Sequence, residues 1–190
     1  GALEDKFSKS PTKNTEAQKL RTLIEQKLDK LIRLNATRYD YFDRFQKMIE
    51  DYNSGALSIE ELFGELVQLS RDLNEEEQRH MRENLSEEEL AVFDILTRPG
   101  PELSNTEADT VKKVCRDMLA KLKTEKLVLD WRKDRTTRAG VQVAISEMLD
   151  NGLPEKYTVD LFEEKCGALY QHMLQKYPQR GETVYDDEVA

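Results

Sequence analysis

The chain has 190 residues, 38% of them hydrophobic and 35% charged, and a net charge of -9 at neutral pH. That length holds one medium domain or two small ones with a modest core, and the charge content, with few glycines and prolines, favours helices with solvated faces. No apolar run approaches about 18 residues, which excludes a helical membrane span, and the N-terminus lacks a signal-peptide layout, so a cytoplasmic protein is expected.

Residues 1–14, GALEDKFSKSPTKN, are polar and aperiodic and read as a flexible tail or the end of a linker. From Thr15 the pattern changes. Thr15 and Gln18 have the spacing of a capping box, and Leu20, Leu23, Ile24, Leu28, Leu31 and Ile32 recur at helical intervals. A second helix is expected from about Asn35, carrying Tyr39, Phe42, Phe45, Met48, Ile49 and Tyr52, and closing at Gly55, where a positive φ is least costly. Ser58 with Glu61 opens a third, whose apolar face is Ile59, Leu62, Phe63, Leu66, Leu69 and Leu73, with Glu61, Glu65 and Asp72 opposite. Ser86 with Glu89 starts a shorter helix through Leu90, Phe93 and Leu96. The sequence TRPGP cannot continue it and marks the expected break between helical subdomains at 15–98 and 99–178.

Ser104 with Glu107 opens a helix containing Val111, Val114, Cys115, Met118, Leu119 and Leu122. A further helix is expected to carry Trp131, Val141, Ile145 and Met148 and to end at Asn151-Gly152. The last runs from about Val159 to Tyr177 through Leu161, Phe162, Cys166, Leu169, Tyr170, Met173 and Leu174, before Pro178 and an acidic tail at 179–190. Period-two alternation is absent over any useful length, so the expected fold is all-α, with about six to eight amphipathic helices in a bundle-like arrangement.

The acidic runs Glu75-Glu76-Glu77 and Glu87-Glu88-Glu89 invite a divalent-metal reading, that of a helical nucleotide hydrolase. Three consecutive carboxylates point around a helix instead of converging, and the second run suits a helix N-terminus, so no metal site is expected. His80 and His172 lack ligand spacing and read as surface or satisfied histidines; Cys115 and Cys166 read as buried thiols. No phosphate-binding glycine loop and no activated serine or cysteine is present, so no catalytic residue is expected.

Charge is unevenly spread. Lys112 to Arg138 holds ten basic residues against four acidic, whereas Glu50 to Asp109 holds seventeen acidic against four basic. Lys112, Lys113, Arg116, Arg132, Lys133, Arg135 and Arg138 form a candidate DNA-binding face, which an antiparallel hairpin would assemble to touch phosphates without base readout. The competing reading is a solvated helix side beside a buried Trp131, which reads as core and not as a stacking platform.

Two long segments carry a resemblance: NATRYDYFDRFQKMIEDYNSGALSIEELFGELVQLSRDLNEEEQRHMRENLSEEELAVFDILTRP and LVLDWRKDRTTRAGVQVAISEMLDNGLPEKYTVDLFEEKC. Across roughly Asn35 to Tyr177 the chain resembles the C-terminal helical region of the R subunit, the motor and endonuclease subunit, of type I restriction enzymes. The resemblance implies a parent protein that translocates and cleaves DNA with ATP and magnesium, and a region with no cofactor of its own. It also implies docking onto the methyltransferase and specificity subunits, with double-stranded DNA as the other partner and no membrane. Three alternatives stay open: a pure protein-docking module, a helical metal-dependent nucleotide hydrolase, and a domain with an accessory nucleotide pocket lined by Lys or Arg.

Overall fold

A computed structural model describes residues 13–186. The expected tail at 1–14 lies outside the described residues apart from Lys13 and Asn14, as does the end of the expected acidic tail beyond 186. Among the described residues seven α-helices form and pairing is limited to one isolated antiparallel bridge, Gln179 with Glu182, so the fold is all-α. The helices are α1 (Lys13–Leu34), α2 (Tyr39–Asn53), α3 (Ile59–Arg82), α4 (Glu87–Thr97), α5 (Asn105–Lys121), α6 (Arg135–Gly152) and α7 (Val159–Lys176). A 3-10 turn at Ala36–Arg38 precedes α2, and a π-helical turn at Leu122–Lys126 follows α5.

The chain divides into two compact units, one ending at Glu83 and the other starting at Asn84. In the first, α1 and α2 both pack on α3. Their apolar stripes bury Ile24, Leu28, Leu31, Phe45, Met48, Leu62, Leu66, Leu69 and Leu73 together. Each such side chain removed from water contributes on the order of 2 kcal/mol, which outweighs the weak intrinsic helicity of so charged a sequence. Gly55 ends the loop after α2 at φ +84, as its position predicts. Beside this core sits a buried ion cluster: Arg38 Nε donates to Glu76 Oε1 at 2.9 Å, its Nη1 donates to the Leu31 carbonyl at 3.1 Å, and Arg79 Nη2 reaches the same carboxylate oxygen at 2.9 Å. Burial opposes ionisation of Glu76, but the hydrogen bonds from Arg79 and Arg38 outweigh it and hold the carboxyl below its usual range.

In the second unit α4 packs on α5 and α7, and α6 packs on α5 and α7. Leu90, Leu96, Val111, Met118, Leu122, Trp131, Val141, Ile145, Leu149, Leu169 and Met173 are fully buried in it. Gly152 sits where a Cβ would come within 2.5 Å of Val114 Cγ2, so the absence of a side chain lets the end of α6 close onto α5. The expected break at 98/99 falls inside the second unit, at the end of α4. TRPGP does end α4, but α4 buries Leu90, Ala91, Val92 and Leu96, and packing against α5 and α7 carries it into the second unit.

Three capping boxes form as spaced, at Ser58–Glu61, Ser86–Glu89 and Ser104–Glu107, each with reciprocal bonds of 2.7–3.2 Å. The fourth does not. α1 already starts at Lys13, so Thr15 is inside the first turn and cannot hold the extended backbone of a cap. Within the expected acidic tail, Tyr185 is buried and its ring lies 6.2 Å from that of Tyr177.

Candidate nucleic-acid interface

The candidate site belongs to the second unit and starts where α5 unwinds. Leu127 donates its N–H to the Leu122 carbonyl at 2.8 Å, closing the π-helical turn. Leu127 and Trp131 then point inward, while Leu129 between them is 72% exposed. Trp131 does not lie in a helix as expected. It occupies a turn ahead of α6, because Asp130 takes φ +55 and reverses the chain, and Asp134 restarts the helix as N-cap, accepting from Thr137 N at 2.8 Å. Aspartate is among the few residues that tolerate that backbone region.

Three long-range hydrogen bonds fix this turn, and a fourth anchors Tyr177 behind it. Asp130 N donates to Gln179 Oε1 at 2.9 Å, and Gln179 Nε2 donates back to Asp130 Oδ1 at 2.8 Å. The Trp131 indole N–H donates to the Tyr177 carbonyl at 2.8 Å. The Tyr177 hydroxyl donates to Glu88 at 2.6 Å, and Lys123 Nζ lies 3.1 Å from the same carboxylate. The Gln179 amide, helped by Lys133, holds the Asp130 carboxyl below its usual range, and burial with the Glu88 charge pushes the Tyr177 phenol well above its own. Neither Gln179 nor Tyr177 carried a sequence signal for this role, since both act from more than forty residues away; Asp134 could have been found as a cap residue ahead of an apolar run.

The seven expected DNA-contacting side chains fall into two settings. Lys112 lies over the Phe93 ring at 5.6 Å and Arg116 donates to the Asn84 carbonyl at 2.9 Å, so these two turn toward α4 and its approach, while Lys113 pairs with Asp117 one turn along α5. Arg132 donates to the Leu174 carbonyl at 2.9 Å near the C-terminus of α7, where positive charge suits the helix dipole. Arg138 donates to the Arg132 carbonyl at 2.6 Å, and Lys133 meets Asp130 at 3.0 Å. Arg135 is exposed on the first turn of α6. The turn thus sets Arg132 and Lys133, with Asp130, on a recess of about 260 Å³ also lined by Leu174, Pro178 and Gln179, while Arg138 reaches the Arg132 carbonyl from α6.

Both acidic runs have structural employment. Glu76 binds Arg38 and Arg79, and Glu77 accepts from Lys27 at 2.6 Å and Lys30 at 3.3 Å, Lys27 being the chief cause of its lowered pKa. Glu89 closes a capping box and Glu88 meets Tyr177 and Lys123. Among the described residues no group of three His, Cys, Asp or Glu side chains could hold a metal ion. His172 departs from the expected surface or satisfied histidine: it is buried, its Nε2 has no hydrogen-bond partner, and burial together with Lys176 lowers its pKa to about 4. Cys115 is buried and Cys166 half-buried, both free, and burial raises the pKa of each.

Comparison with known proteins places these features. The family described as type I restriction enzyme HindI endonuclease subunit-like, C-terminal, matches residues 2–177. A type I restriction enzyme MjaIXP endonuclease subunit of Methanocaldococcus jannaschii is 26% identical over 136 residues, 68% of this chain and 13% of that protein. The type I restriction enzyme HindI endonuclease subunit of Haemophilus influenzae is 22% identical over 156 residues, 82% of this chain and 14% of that protein. The chain therefore spans about a seventh of the length of these relatives. No solved structure matches.

Proposed function

Because the chain belongs to the type I restriction enzyme HindI endonuclease subunit-like C-terminal family, we propose that it is a non-catalytic assembly region of an R subunit that also touches duplex DNA without reading its sequence. The observation that carries the DNA contact is the fixed turn at 130–138, which holds Arg132, Lys133, Arg135 and Arg138 in one place on a chain of net charge -9. A local positive cluster held by the fold suits a polyanion, and its fixed geometry limits the ordering entropy lost on contact. The docking partners of this reading are the methyltransferase and specificity subunits, and the compartment is the cytoplasm. No helix among the described residues is long and apolar enough to cross a membrane. In the longer protein, ATP-driven translocation and magnesium-dependent cleavage belong to other regions.

Phosphate contacts release counterions, so affinity should fall with salt, with a logarithmic slope of about 0.9 per contacted phosphate. Titration of fluorescent non-specific duplex DNA at several salt concentrations tests this. Lys133→Gln with Arg135→Glu is the informative variant, because a negative charge at 133 would oppose Asp130, and Arg132 and Arg138 also donate to main-chain carbonyls, so that their reversal would disturb the turn itself. The variant should lose most binding and about one to two units of slope while keeping its melting temperature. Absence of wild-type binding at low salt removes the DNA contact and leaves assembly as the function.

A further inference from the structure

We propose that the groove between α1 and α2 docks a basic segment of a partner subunit, one whose large apolar side chain enters the groove between lysines or arginines. The inference rests on the assembly reading above and gives it a surface in the first unit. α1 and α2 each pack on α3 more than on each other, and a cleft of about 380 Å³ stays open between them. Its floor is apolar. Phe42, Phe45 and Ile49 line it from α2, and the ring of Tyr39, 51% exposed, lies 5.2 Å from that of Phe42 and extends the aromatic surface outward. Its rim is acidic. Glu25 and Asp29 stand one turn apart on α1 and Glu50 stands on α2, all three exposed, and the one cation lining the groove, Arg21, is already paired with Glu25 at 3.2 Å. Asp29 and Glu50 have no hydrogen-bond or ion-pair partner among the described residues. The nearby cations are engaged elsewhere, Lys30 with Glu77, Arg44 with Asp72 and Lys47 with Asp51. Two uncompensated carboxylates beside an aromatic floor repel the phosphates of DNA and attract cations, and neither belongs to a group that could hold a metal ion, so the chemistry selects a basic peptide chain.

The test titrates fluorescently labelled chain, without DNA, against the purified complex of methyltransferase and specificity subunits. Asp29→Lys with Glu50→Lys is the first variant, since both side chains are exposed and their reversal leaves the apolar interior untouched. A second protein carries the photo-crosslinker p-benzoylphenylalanine in place of Gln46, an exposed residue of the groove. Wild type should bind with an affinity that falls as salt rises, because the rim charges are screened. The double reversal should weaken binding roughly ten-fold or more, chiefly through slower association, at an unchanged melting temperature. Illumination should join position 46 to a partner peptide that holds Lys or Arg beside a large apolar residue. Unchanged affinity in the double reversal, or a crosslink to an acidic or wholly polar peptide, overturns the groove as the dock and leaves assembly to another surface of the chain. Self-association in sedimentation that the double reversal abolishes gives the groove to a second copy of the chain, and also overturns the proposal. Absence of wild-type binding to the complex at low salt overturns the groove and the assembly reading together.

Discussion

Trp131 and His172 are the two residues of the second unit whose burial has the sharpest measurable consequence. Trp131 fills the interior and donates its only polar hydrogen to the Tyr177 carbonyl, so Trp131→Ala should cost about 3 to 5 kcal/mol in urea unfolding of the second unit. Trp131→Phe should cost less, about 1 to 3 kcal/mol, since it keeps most of the volume and leaves the carbonyl without its donor. His172 acts through pH. Its folded pKa of about 4 lies below the ordinary value of 6.5, so the unfolded chain takes up a proton that the folded chain refuses. The stability it permits is complete above pH 6.5 and is lost as pH falls toward 4, on the order of 3 kcal/mol in all. His172→Gln should flatten that part of the stability curve relative to wild type; an equal acid sensitivity in the two proteins would contradict the assignment.

At the scale of elements, the caps separate sequence patterns that the structure uses from one that it does not. Ser86→Ala removes the hydroxyl that accepts from Glu89 N at 3.1 Å and should cost about 1 kcal/mol. Thr15→Ala, at the same sequence spacing, should change stability by less than about 0.5 kcal/mol because α1 begins two residues earlier; paired thermal melts decide both. Most helix spans were legible because period and cap are local properties: Ser58, Ser86, Ser104 and Gly55 each stand at the boundary their chemistry implies. The turn at 127–134 was not legible. Its hydrophobic spacing passes for helix, and only the remote Gln179 and Tyr177, with Asp130 in its left-handed conformation, make it a turn. The candidate site was legible as a charge count but not as a geometry. Lys112 and Arg116 have their own partners on the α4 side, Lys113 pairs with Asp117 within α5, and Arg132 serves α7 as a C-terminal cation.

On the scale of the whole chain, each unit owns a closed apolar core and an internal set of ion pairs. A fragment starting at Asn84 should therefore retain its helical circular dichroism and melt cooperatively alone, and it should carry whatever DNA affinity the chain has. A fragment that is unfolded by itself, or that folds without the affinity of the parent chain, would contradict this division. The clamp on Asp130 closes a span of 49 residues and the Tyr177–Glu88 bond a span of 89. During synthesis the turn consequently has only its local bonds until residues 174–179 clear the ribosome. α4 to α6 emerge first around an uncovered Trp131, and the segment after α7 arrives as the latch that converts a loose nascent arm into a rigid surface.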